Sequence, residues 1–209
     1  MRNERSFLRR VRGEDKMPAA TDKQEQIMKA SLELFIERGF DGTTMPMISK
    51  RANVGAGTIY RYFDSKEALV NILYQRSLTA FIEKMNTNSP DPKVSIRSYF
   101  KHVFYCLVRF TRENPSGLYF LEIDKRSHYL DEKSKEKMQH LLDDLFLIFE
   151  EGRKDGVHPN LSGRTILSIV FGAFVQLHKQ ILAEDAEPTV EFVEEIEQCL
   201  WRAISVATK

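Results

Sequence analysis

Apolar residues recur every three or four positions along most of the chain, the spacing of helices that bury one stripe. Ile27, Ala30, Leu34 and Phe35 set a helix over Lys23–Arg38, and Gly39 is the residue type that ends a helix by turning left-handed. Two short pairs follow at four-residue spacing, Ile48 with Ala52 and Ile59 with Phe63. Leu69, Ile72, Leu73, Leu78, Phe81 and Ile82 then carry a long helix from Ser65 to about Met85, and the Pro- and Asn-rich stretch Asn86–Pro92 stops it. Val94–Arg112 places Ile96, Tyr99, Phe100, Val103, Phe104, Leu107, Val108 and Phe110 nearly all round one helix, which predicts burial on most sides. After the break at Asn114-Pro115-Ser116-Gly117 come a short aromatic helix over Leu118–Ile123 and an amphipathic one over Glu132–Lys154. A strongly apolar helix over Gly163–Leu182 and a last one from Glu187-Pro188-Thr189 to near Val206 complete about nine helices. No segment alternates with the period of a strand, so the fold class is all-α.

The stretch from Thr43 to Lys66 organises the rest. Thr43 and Thr44 are candidate N-caps, and Pro46 falls in the first turn, where its missing N–H has no helical partner to lose. Asn53, Gly55 and Gly57 are residue types that tolerate the positive φ of a sharp turn. Two short helices joined in this way are a helix-turn-helix, here over about residues 44–63. The second helix turns Ile59 and Phe63 inward and leaves Thr58, Tyr60, Arg61 and Tyr62 outward. A helical corner whose polar residues are merely solvated is the plainer alternative.

Register decides between the two. Ile27 to Phe35 with Gly39-Phe40, Gly42-Thr43-Thr44, Ile48, Arg51-Ala52, Val54, Thr58 through Phe63 and Ser65 through Leu69 together resemble the DNA-binding domain of the TetR/AcrR family of bacterial transcriptional regulators. The resemblance spans Lys23–Lys66. It implies a three-helix DNA-binding domain at the N-terminus and a helical ligand-binding and dimerisation domain behind it. It also implies that Thr44, Thr58, Tyr60 and Tyr62 meet phosphates or base edges, that Arg61 reads a base or pairs with the backbone, and that Lys66 meets phosphate at a helix N-terminus. Met45-Pro46 and Ala56 depart from relatives that carry base-contacting side chains there, so the operator sequence does not follow.

The expected domains are a basic arm over residues 1–20, the DNA-binding domain with its linking helix over 21–85, and the regulatory domain over 90–209. The resemblance implies that the second domain pairs two copies and binds an effector that lowers DNA affinity, with the helix from Ser65 swinging as the link. For the two-fold interface the candidates are Ile169, Gly172, Ala173, Gln176, Phe192, Ile196 and Leu200 on the last two long helices, whose small residues allow close approach. Phe100, Phe104, Tyr119, Phe120, Phe149 and Phe171 are the candidates to line an apolar effector cavity, with plain core packing as the alternative. The partners so implied are a two-fold double-stranded DNA operator, a small hydrophobic effector and a second copy of the chain. A ligand-independent or activating regulator, or a protein-docking adaptor, are the other readings.

Composition changes this picture little. Residues 1–66 hold 13 Lys/Arg against 9 Asp/Glu, a net of +4, while the remainder holds 18 against 21, a net of −3, so positive charge leans toward the proposed DNA side. Six of those cations, Arg2, Arg5, Arg9, Arg10, Arg12 and Lys16, lie in the arm, and Met17 is an alternative start. Cys106 and Cys199 are far apart, without ligand spacing, and are expected as buried free thiols. No nucleophile-and-base set, phosphate loop or metal-ligand pattern stands out, so neither an enzyme nor a cofactor or metal is expected. No apolar run reaches the roughly 20 residues a membrane span needs, and the expected location is the cytoplasm.

Overall fold

The computed structural model describes residues 22–114, 117–123, 127–184 and 188–206. The arm over 1–20, Pro115 and Ser116 of the expected break, and Glu187 lie outside the described residues. Nine α-helices lie among them: α1 (Asp22–Arg38), α2 (Met45–Arg51), α3 (Ala56–Tyr62), α4 (Lys66–Asn86), α5 (Ile96–Glu113), α6 (Gly117–Glu122), α7 (Glu132–Glu151), α8 (Gly163–Glu184) and α9 (Val190–Ile204), with one 3-10 turn at Gly152–Asp155. The described residues contain no strand, only an isolated bridge between Val157 and Ser205. The all-α expectation holds.

Two compact units form, and no single cut separates them. The first joins the residues up to Asn86 with Phe110–Met138, and the second joins Thr87–Arg109 with the residues from Gln139 on. One boundary at 86–92 was expected. The difference comes from aromatic packing on α4. The Phe110 ring meets Phe81 at 5.4 Å between centroids and the Phe120 ring meets Tyr74 at 6.4 Å, both edge to face. The end of α5, α6 and the start of α7 therefore belong with the first unit.

In the first unit, Ile27, Phe35, Ile48, Ile59 and Phe63 are each at most 2% exposed and form the common core of α1, α2 and α3. α1 stops at Gly39, whose φ of +70° would strain any side chain, and whose N–H bonds the Phe35 carbonyl at 2.9 Å. Thr43 is buried and donates its hydroxyl to the carbonyls of Gly39 (2.8 Å) and Leu34 (3.1 Å), so it closes α1. Capping of α2 falls to Thr44 alone, whose hydroxyl accepts from the Met47 N–H at 3.4 Å. In the turn between α2 and α3 only Asn53 takes positive φ, at +52°. Gly55 is extended at φ −63° and Gly57 lies inside α3, so neither glycine does the bending expected of it.

Polar fasteners complete this unit. The Arg51 guanidinium on α2 grips both carboxylate oxygens of Glu37 on α1, at 2.8 and 2.9 Å, and reaches Glu33 at 3.4 Å. That hydrogen bonding holds the Glu37 carboxyl below the usual carboxylate range. The Lys66 ammonium donates to the carbonyls of Phe40 (2.7 Å) and Thr43 (2.9 Å) and sits 4.0 Å from the centroid of the Phe40 ring. On α4, the Tyr74 hydroxyl is fully buried with no hydrogen-bond partner among the described residues, and burial pushes its pKa up to about 12.

In the second unit α5 corrects an expectation. Ile96, Tyr99, Phe100, Phe104 and Leu107 are buried, yet Ser98, Lys101 and Arg109 are exposed along the opposite side. The helix is amphipathic rather than apolar all round. Its Arg97 forms a two-oxygen ion pair with Glu197 of α9, which is 2% exposed, one N–H···O measuring 2.7 Å. The same guanidinium lies over the Trp201 ring at 5.2 Å. α8 starts close against α7: a Cβ on Gly163 would fall 2.9 Å from the Phe146 Cα, so only glycine fits there.

Two outcomes follow from these contacts. Lys66→Ala leaves two carbonyls short of a donor and removes a cation from the Phe40 ring, so thermal denaturation should show a loss of about 1–3 kcal/mol. An unchanged midpoint would mean that Lys66 is not a fastener. Tyr74→Phe deletes a buried hydroxyl that bonds nothing, and its midpoint at neutral pH should stay level or rise. Because the folded phenol titrates above its ordinary value of 10.0, the wild-type fold should lose stability as pH climbs from 10 toward about 12, and Tyr74→Phe should lose less.

Candidate nucleic-acid interface

α3 is seven residues long and buries Ile59 at 1% exposure, with Phe63 just past its end at 2%. The opposite side is open. Gly57 has nothing within 4 Å of where a Cβ would stand, Tyr60 is 54% exposed, and Arg61 is exposed beside it. The Arg61 guanidinium donates to the Tyr62 hydroxyl at 3.0 Å and lies 5.1 Å from that ring's centroid. This contact uses one N–H of a five-donor fork and pre-orders the pair. Thr58 is half-buried, and its hydroxyl would stand 3.6 Å from a Cβ on Gly55. Thr44 is exposed at the start of α2. Thr44, Tyr60 and Arg61, with the half-buried Thr58 and Tyr62, supply hydroxyl and guanidinium donors of the kinds that bond phosphate oxygens and base edges.

Lys66 has a second engagement besides any phosphate. Its ammonium points at the Phe40 and Thr43 carbonyls, which ties the α1–α2 turn to the start of α4. A lysine at a helix N-terminus reads from sequence as a phosphate ligand, because the carbonyls it faces are 23 and 26 residues upstream. Lys50 was passed over by the sequence reading. It is exposed beside Arg51, whose own charge is taken up by Glu33 and Glu37.

The electrostatics are leaner than the charge count suggested. Residues 22–66 hold 7 Lys/Arg against 6 Asp/Glu, so most of the positive excess of residues 1–66 comes from residues 1–21. The described motif is nearly neutral and offers mainly uncharged donors.

The six candidate effector-lining aromatics divide between the two units. Tyr119 and Phe120 belong to the first unit, and Phe100, Phe104, Phe149 and Phe171 to the second. Phe120 packs against Tyr74 and Tyr119, Phe100 against Trp201, and Phe104 against Phe174, as core rather than as a shared lining. Instead, an open cleft of about 420 Å³ lies within the first unit, with Met28, Leu73, Phe110 and Phe120 on its walls and Lys29, Arg76 and Glu25 among its polar groups. Arg76 bonds Glu25 at 2.8 Å beside it.

Of the interface candidates, Gly172, Ala173, Gln176 and Phe192 are exposed, and Ile169 and Ile196 are half-buried. Leu200 is 7% exposed and turned into its own chain's core. Cys106 is buried, whereas Cys199 is exposed, contrary to expectation. Among the described residues no group of three or more His, Cys, Asp or Glu side chains could hold a metal ion, and no helix is long and apolar enough to cross a membrane.

Comparison with known proteins agrees with this geometry. Residues 27–73 match the family model for bacterial regulatory proteins of the tetR family, and residues 74–206 match that for the tetracyclin repressor-like C-terminal domain. An HTH-type transcriptional regulator of Haemophilus influenzae is 27% identical over 89% of this chain and 97% of its own length. The fatty acid metabolism regulator protein of Bacillus subtilis is 28% identical over 72% of this chain and 78% of its own length. A crystal structure of the transcriptional regulator FadR from Bacillus subtilis in complex with stearoyl-CoA superposes with a TM-score of 0.62 at 22% identity, covering 86% of this chain and 98% of that one. The two family models run end to end over both halves of the chain, the first spanning the whole helix-turn-helix. The chain belongs to the TetR family, whose members are DNA-binding transcriptional regulators and not enzymes.

Proposed function

We propose that this regulator is a homodimeric repressor that leaves its operator when an amphipathic effector binds. The observation that carries the DNA half of the reading is α3 itself, a helix clamped by Ile59 and Phe63 with Gly57, Tyr60 and Arg61 facing out. Two copies of α3 would enter successive major-groove turns about 34–36 Å apart. Tyr60 and Arg61 would read base edges, and Thr44, Thr58 and Tyr62 would bond phosphates. Pairing of the chain is supported by the open face of Gly172, Ala173, Gln176 and Phe192 on α8 and α9, where small residues let two-fold copies approach closely.

The effector is read from two sources. One relative is named a fatty acid metabolism regulator, and a structural neighbour was crystallised with stearoyl-CoA. The cleft in the first unit has apolar walls, with Lys29 and the Arg76–Glu25 ion pair at its polar edge, which suits an amphipathic molecule, and its volume is of the order that holds small ligands. A ligand-independent regulator is the second reading, favoured by the core packing of Phe100, Phe104 and Phe120.

Retardation of genomic fragments across a salt series tests the DNA half. The wild-type protein should select a two-fold site and lose affinity steeply with salt. Tyr60→Ala and Arg61→Ala should each weaken that binding about ten-fold while the unfolding midpoint stays put, because both side chains are exposed. Full affinity in either variant would remove that residue from the interface. Addition of long-chain acyl-CoA or fatty acid should lower operator affinity. If a graded series of such amphiphiles leaves it unchanged, the ligand-independent reading takes over.

A further inference from the structure

Residues 128–129, shortly before α7, lie against the turn between α1 and α2. Tyr129 stacks on Phe40 with ring centroids 4.1 Å apart and planes 24° from parallel. Phe40 is 5% exposed, follows Gly39 at the end of α1, and stacks on Phe35 at 5.9 Å, with Lys66 over its ring. Tyr129 is in turn held by Asn71, a buried residue of α4. The Asn71 amide N–H donates to the Tyr129 carbonyl at 2.7 Å, and its oxygen accepts from the Asp131 N–H (3.0 Å) and the Ser134 hydroxyl (2.7 Å).

All of these groups lie in the first unit, and they converge on one turn. The same turn carries the Thr43 hydroxyl bonds and ends at the Thr44 cap of α2. A shift of Phe40 therefore reaches α2 within five residues, and α3 through their common core.

We propose that Tyr129 and Asn71 are positioning residues for DNA recognition: by clamping Phe40 they fix the α1–α2 turn and, through it, the aim of α3. The clamp also gives the regulatory half a route to the DNA side, because α7 starts at Glu132 and continues without a break past Met138 into residues of the second unit. A rotation of α7 would be felt at Tyr129, three residues before its start. This rests on the reading of α3 as the DNA-contacting helix.

Full-length Tyr129→Ala and Tyr129→Phe test it with two readouts, operator affinity by fluorescence anisotropy and amide hydrogen exchange over residues 45–62. Tyr129→Ala should lower affinity about ten-fold and speed exchange in α2 and α3, with α8 and α9 unchanged. Tyr129→Phe keeps the stack and should match the wild type in both. Wild-type affinity and wild-type exchange in Tyr129→Ala would overturn the proposal. If Tyr129→Ala does not fold, Tyr129→Leu, which keeps apolar bulk without the ring, is held to the same two outcomes. A wild-type chain that binds no DNA would sink the regulator reading instead, and the exchange comparison would still decide the clamp.

Discussion

A seven-residue helix has no stability of its own in water, because the cost of nucleation exceeds what two turns return. α2 and α3 are both that short, so each exists only as far as tertiary burial holds it. Ile48, Ile59 and Phe63 provide the burial, and every polar device around them serves to keep those three side chains dry and in register. Thr43 uses its hydroxyl on the spent carbonyls of α1, Arg51 spans α2 to α1, and Lys66 pins the turn between them. The exposed edge of α3 is the by-product of that sealing.

The chain divides into interleaved units. The first unit includes the end of α5, all of α6 and the start of α7, not only the residues up to Asn86. α5 and α7 each begin in one unit and end in the other, and a continuous helix transmits rotation and translation along its axis far better than a loop does. The long helix from Ser65, expected to be the link, lies wholly in the first unit and acts there as the spine on which Phe110, Phe120 and Asn71's partners assemble.

Much of this was legible in the sequence, and what was not shares one cause. Helix positions and the inward faces of α2 and α3 follow from local periodicity, and so does the αL stop at Gly39. The outward set Thr58, Tyr60, Arg61 and Tyr62 is fixed once Ile59 and Phe63 are known to be buried. By contrast, Lys66 reads as a phosphate ligand because its acceptors are carbonyls from a distant turn, and a backbone carbonyl leaves no mark on the sequence. Tyr129 offers no signal either, since its partner Phe40 is 89 positions away and Tyr129 itself sits in no motif. α5 looked apolar on all sides because Val103 and Val108, both only half-buried, were counted with its core stripe. That the six aromatics divide between two units is a matter of long-range packing, which periodicity does not carry.

The ion pair between Arg97 and Glu197 constrains how this protein can drift over generations. Loss of Arg97 strands the Glu197 carboxylate where water barely reaches, a penalty of several kcal/mol, and loss of Glu197 leaves a half-buried guanidinium without its acceptor, while replacing both with apolar groups of similar volume is close to neutral. The two positions are exactly 100 residues apart, on the helices that open and close the second unit. Single-step variants at either site should therefore be purged, and lineages that abandon the pair should do so at both sites together, leaving correlated substitution as its trace.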